Sequence, residues 1–166
     1  SRLPSGSDWL ARADGRITAC WLVDGVLGVA WNAGADADHD HPFIRCSRID
    51  LASASLIDEP DVWSSDRAWA YPAVGLNERG DVGLAAFAGG AAVPITHAVG
   101  HLGRDAVWRM RAVAESTHDP ANEAWGDYLD IQPDPTRRTY WMATGFTLQG
   151  GSARSDIVPH TVTFAP

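Results

Sequence analysis

Apolar residues alternate with polar ones along most of this chain, and almost nowhere do they recur with the 3.6-residue period of a helix. The alternation predicts strands at Arg16 to Val23, Val26 to Asn32, Phe43 to Leu51, Ala73 to Asn77 and Val82 to Ala88. Further strands are predicted at Ile95 to Leu102, Val107 to Ala114, Tyr128 to Gln132, Thr139 to Thr147 and His160 to Phe164. Glycines and prolines punctuate the chain between them. One stretch, Asp105 to Glu115, has some helical character. Within it Val107, Arg109, Arg111 and Val113 alternate with Trp108, Met110, Ala112 and Ala114, which is the two-residue period of a strand. The expected fold is therefore all-β.

Three segments share one plan of strand, turn and apolar strand, and can be laid over one another: Trp21 to Trp31, Val74 to Phe87 and Leu129 to Trp141. Their spacing of roughly 50 to 60 residues is that of the longer propeller repeats. The plan predicts a β-propeller segment of about three four-stranded antiparallel blades, at about residues 8–57, 58–114 and 115–166. Propellers typically close with about 4 to 8 blades, so three leave two lateral faces to be covered. The rest of the propeller is expected from the same parent chain, from another subunit, or from a second copy in a six-bladed homodimer. A start at Ser1-Arg2-Leu3-Pro4, without an initiator Met, favours the first of these. A β-sandwich also has many short strands, but it does not require a repeated hairpin.

Composition narrows the function classes. With 45% apolar and 20% charged residues, a chain of 166 residues can bury a proper core. Its formal net charge of -8 argues against a nucleic-acid partner, which would need clustered basic residues. No apolar run approaches the roughly 20 residues of a membrane-spanning helix, so no membrane partner is expected. All 13 basic residues are arginine. The two cysteines, Cys20 and Cys46, both fall in strand-like runs, as a disulfide between adjacent strands or as a buried thiol pair.

The run Tyr71-Pro72-Ala73-Val74-Gly75-Leu76-Asn77-Glu78-Arg79-Gly80-Asp81-Val82-Gly83-Leu84 resembles a blade of bacterial sialidase-like propeller proteins. So does Trp125-Gly126-Asp127-Tyr128, followed by Asp134-Pro135 and Thr139-Tyr140-Trp141. The likeness runs from Tyr71 to Phe164, with Asp8 to Ile57 sharing the strand plan. It implies a glycan-directed site at the propeller axis, with an arginine cluster for a substrate carboxylate, a tyrosine nucleophile backed by a glutamate, and an acidic proton donor. It also implies a secreted or cell-surface location.

Three sets of residues carry candidate chemistry. Asp36, Asp38 and Asp40 alternate with His39 and His41 in one loop; a curled loop converges alternate carboxylates on Ca2+, while imidazoles suit another divalent metal such as zinc, copper or nickel. The loop lacks the glycine and terminal glutamate of a helix-loop-helix calcium site. Asp127, Tyr128, Glu115 and Arg109 are the catalytic candidates, since a carboxylate pair with a tyrosine is able to hydrolyse a glycosidic bond. Trp125, Trp69 and Trp63, near loops, are candidates for stacking on a sugar ring. Taken together, the sequence reads as a propeller scaffold that binds a glycan or protein partner. The alternative is a glycoside hydrolase whose active site is shared with sequence outside the chain, which requires Arg45, Arg109 or Arg111 to meet an acidic residue on the axis.

Overall fold

The computed structural model describes residues 1–121, 125–126, 128–151 and 156–166. Eleven strands, with no helix among the described residues, form three antiparallel sheets, none of them closed on itself. The first sheet contains β1 (Ile17–Val23), β2 (Val26–Ala33), β3 (Phe43–Asp50) and β4 (Ser55–Asp58) in chain order. The second contains β5 (Ala68–Leu76), β6 (Val82–Gly90), β7 (Val93–Leu102) and β8 (Trp108–Glu115), again in chain order. The third contains β9 (Asp130–Pro133), β10 (Trp141–Leu148) and β11 (Ile157–Phe164). The all-β fold expected from the alternation is what forms, and each sheet is an up-and-down meander of the kind that makes a propeller blade.

The three superposable segments are the first hairpins of the three sheets: β1–β2, β5–β6 and β9–β10. Each hairpin closes on chemistry suited to its turn. Asp24 and Gly25 both take positive φ between Val23 and Val26, the two-residue turn whose twist matches the strands. Buried Asn77 accepts from the amides of Arg79 and Asp81 at 2.9 and 3.0 Å. In the third turn Asp134 accepts from the Thr136 hydroxyl and from the amides of Thr136 and Arg137. Those bonds, the hydroxyl first, hold its carboxyl well below the usual range. The Asn77 Nδ2 also donates to the Thr139 carbonyl at 2.9 Å, which ties the second turn to the third.

Packing explains why the middle sheet is central. All nine residues of β6 are buried, and their alternation divides them between neighbours. Val82, Leu84 and Ala86 join Trp21, Ala30, Ile44 and Cys46 of the first sheet, while Ala85 joins Ile131, Trp141 and Phe164 of the third. Trp21 and Trp108 meet edge to face at 6.2 Å across the first interface, and the Trp108 Nε1 donates to the Pro60 carbonyl at 2.7 Å. Trp141 is fully buried across the second interface and donates to the Gly75 carbonyl at 3.0 Å. Leu3 and Trp9, from the segment before β1, complete a third cluster with Tyr71, Phe87, Ile95 and Trp125.

Four details differ from the sequence expectations. Among the described residues the third sheet has three strands, where four were expected. Strand β4 was not expected, because its four residues carry too little alternation to stand out. Strand β5 begins at Ala68, five residues early, because Pro72 masks a strand that tolerates it at a bulge between Ala70 and Ala73. The cysteines form neither a disulfide nor a buried pair. Ala19, Ala30 and Cys46 lie on the inner face of the first sheet, whereas Cys20, paired with Val29, points the other way and is exposed. Burial pushes the Cys46 thiol up to about 12.

Candidate functional site

The opening strands of the three sheets, β1, β5 and β9, lie next to one another, with β5 between the other two. Beside these strands, from the approach to β1 and the start of β9 to the middle of β5, is a cleft of about 410 Å3. Its walls come from the approach to β1 (Arg12, Ala13, Asp14, Arg16), from β1 itself (Thr18, Ala19, Cys20), from β5 (Tyr71 to Val74) and from the start of β9 (Leu129, Asp130). Asn32 of β2 closes the back.

Local hydrogen bonding shapes this cleft. Asp14 accepts from the Nε of Arg16 at 2.9 Å and its second oxygen lies 2.8 Å from that guanidinium, which holds the Asp14 carboxyl below the usual range. Arg12 is exposed and has no ion pair among the described residues. Asn32 bridges two walls: its Oδ1 accepts from the Tyr71 amide at 2.7 Å and its Nδ2 donates to the Asp14 carbonyl at 3.2 Å. Tyr71 itself has φ of 60, in the left-handed region that a bulky residue rarely enters, and it directly precedes Pro72. Such strain costs about 1–3 kcal/mol and persists only where the surroundings hold it. Here the holding group is Asn32. The cleft thus presents two guanidinium groups, an ionised carboxylate and a second acidic side chain, Asp130, to one small volume. That arrangement can grip a polyhydroxylated or carboxylate-bearing molecule through charge-assisted hydrogen bonds.

The described residues among those singled out from sequence lie outside this cleft. In the loop before β3, Asp36 Oδ1 accepts from the amides of Asp38 and His39 and contacts His39 Nδ1 at 2.7 Å. These contacts, the His39 ring first, hold the Asp36 carboxyl low. His39 stacks on Phe43 at 3.8 Å and meets the edge of Trp63 at 5.3 Å. Arg45 lies 3.3 Å from Asp61 and 3.6 Å from Asp36, and burial raises the Asp61 carboxyl. The loop is thereby clamped to the first sheet. Asp38, Asp40 and His41 are not drawn into this clamp. Among the described residues no group of three or more His, Cys, Asp or Glu is gathered closely enough to hold a metal ion.

Of the catalytic candidates, the described ones, Glu115, Arg109 and Tyr128, do not line the cleft. Glu115 and Arg109 share β8, the edge strand of the second sheet, six residues and so about 20 Å apart along an extended chain. Arg109 is exposed and paired with Asp105 at 2.8 and 2.9 Å. Arg111 stands over the Phe164 ring at 5.7 Å. None of Arg45, Arg109 and Arg111 lines the axial cleft. Tyr128 is exposed beside an apolar shelf with Phe146, Ile157 and Pro159. Asp127 lies outside the described residues. Trp125 is buried, stacked on Phe146 at 4.8 Å. Trp69 is half-buried and donates to the Ser64 hydroxyl at 3.0 Å, and Trp63 is exposed.

Arg12, Asp14, Arg16, Asn32, Tyr71 and Asp130 carry no sequence motif of their own. The usable signal was the repeat: if each copy opens a sheet, residues just before each copy converge at one end of the axis. Arg16 lies ahead of the first copy and Ala73 ahead of the second, while the third copy opens on Leu129 and Asp130.

Comparison with known proteins places the chain in no family: no family model matches it, and no curated protein matches it. Among solved structures it is similar to an N-acetylgalactosamine deacetylase from F. plautii, crystallised in complex with blood group B trisaccharide. The identity is 8%, the TM-score 0.38, and the overlap covers 87% of this chain and 48% of that one. The chain thus spans about half the length of the enzyme it overlaps, and a likeness this loose carries no functional argument.

Proposed function

We propose that the chain is a propeller segment that acts as a scaffold for binding, and that its ligand, a glycan bearing a carboxylate, sits in the axial cleft. The observation carrying this reading is the placement of Arg12 and Arg16 together in a cleft shared by β1, the middle of β5 and the start of β9. The resemblance of Tyr71 to Phe164 to sialidase-like blades supports a glycan as the ligand class. Binding is favoured over hydrolysis for a chemical reason. The Arg16 guanidinium keeps Asp14 ionised, which suits an electrostatic or basic role and not that of a proton donor. A hydrolase would have to draw its acid from sequence outside the chain, as the shared-site alternative requires.

The test is calorimetric binding of sialylated and uronate-containing oligosaccharides beside neutral ones of equal length. Acidic glycans are expected to bind. Arg12→Ala and Arg16→Ala should each weaken binding roughly tenfold or more, the worth of one charge-assisted hydrogen bond. Equal affinity for neutral sugars, or indifference to both substitutions, would remove the cleft from consideration.

A further inference from the structure

One ionisable pair, with a buried member and a half-buried one, belongs to neither the cleft nor the loop clamp. His97, on β7 of the second sheet, is fully buried, and its Nδ1 lies 2.8 Å from the Nε2 of His160 on β11 of the third. The two rings are 4.9 Å apart at their centres. A contact this short between two imidazoles needs one donor and one acceptor, so it exists only while the pair carries at most one proton beyond neutrality. Room for the ring is made by Gly145 on β10: a Cβ there would fall 2.8 Å from the His97 ring. The remaining His97 nitrogen, Nε2, is buried and has no hydrogen-bond partner among the described residues.

Among the described residues the surroundings offer no carboxylate to balance a positive charge on His97. From the elements packed around His97, β6 brings Phe87, β8 brings Ala114, β10 brings Gly145 and β11 brings His160. Among the described residues, His160 is the only charged or titratable group acting on the ring. Burial, and then His160, depress the His97 imidazole to about 4. The same pair joins the two sheets whose first strands form adjoining walls of the axial cleft, since Leu129 and Asp130 open the third sheet and Tyr71 to Val74 belong to the second.

We propose that His97 and His160 form an acid-sensitive latch between the second and third sheets, and that protonation of the pair frees the third sheet and opens the cleft at Leu129 and Asp130. The latch does not depend on what the cleft binds. Its sign follows from linkage. Because His97 is depressed in the folded chain, the unfolded or released state binds more protons. Latch stability is intact above about 6.5, the ordinary histidine value, and is lost as pH falls from there toward 4. Carboxylates held low by arginine, such as Asp66 and Asp105 at about 2, act below that window.

Hydrogen exchange read by mass spectrometry at pH 7 and at pH 5, corrected for the intrinsic rate, tests this on the intact chain. Peptides from β10 and β11 should lose protection at pH 5 while β1 to β3 keep theirs, with the opening equilibrium rising by up to about tenfold per pH unit. His97→Gln, which keeps a neutral hydrogen-bonding group, should flatten that dependence. Should that variant fail to fold, the imidazole carbon resonances of the wild-type protein decide. A His97 ring that titrates reversibly near 6.5 with the native spectrum intact would overturn the proposal, as would acid-induced opening that begins in the first sheet.

Discussion

Asn32 illustrates how much one side chain can fix. It accepts a hydrogen bond from the Tyr71 amide at the point where the strand takes a left-handed turn into Pro72, and it anchors the Asp14 carbonyl at the same time. Asn32→Ala would remove this acceptor from a part-buried amide at a strained residue, and should cost about 1–3 kcal/mol in urea unfolding. Asn32→Asp keeps the acceptor but loses the donor, so at neutral pH it should cost less than the alanine. If the cleft binds acidic glycans, both variants should weaken binding, because both release the backbone that carries Asp14. Nothing in the sequence marks Asn32, which sits at the end of an ordinary strand. Its importance comes from a partner 39 residues away, and only the fold makes that pair adjacent.

At the scale of elements, most of the fold was legible, for a physical reason. Half-buried strands must alternate, and ten of the eleven strands were placed from that alternation with ends within a few residues, β5 being the largest miss. What alternation cannot report is which face of a sheet meets which neighbour. β6 is buried throughout, so its pattern of Val, Leu, Ala and Phe with glycines gives no polar side to read. The glycines are the trace of that double burial. Gly83 receives the indole of Trp141, and a Cβ there would lie 2.7 to 2.8 Å from the ring. Gly83→Ala should therefore overpack the interface between the second and third sheets and cost about 1–3 kcal/mol, with a shift in tryptophan emission as Trp141 is displaced. Gly34→Ala, where an added Cβ meets nothing within 4 Å, is the matched control and should be near neutral. Equal effects at the two sites would mean that Trp141 is free to move aside.

The molecule as a whole is open at both ends of its row of sheets. The middle sheet has neighbours on both faces, but the first sheet turns Leu22 and Cys20 outward on β1, and Leu56 and Ile57 stand exposed on β4. At the other end Tyr128, Ile157 and Val158 are exposed on or beside the third sheet. The chain itself displays twice how such a face is covered, by the next sheet of the same kind, with tryptophan rings at the seam. The same reasoning makes further blades, or a second copy, the natural cover for the outer faces, and an arc of three first strands becomes a closed axis only when they are added. Light scattering beside intact-mass spectrometry should accordingly find the 17.8 kDa chain in a larger particle, either near twice its mass or with a second polypeptide. Leu22→Arg should return it to the monomer without lowering its unfolding free energy by more than about 0.5 kcal/mol, since Leu22 is 57% exposed and contributes little to the core. A wild-type monomer that also fails to bind a hydrophobic dye would show that three sheets are a finished unit, and the cleft would then have to work as an open groove.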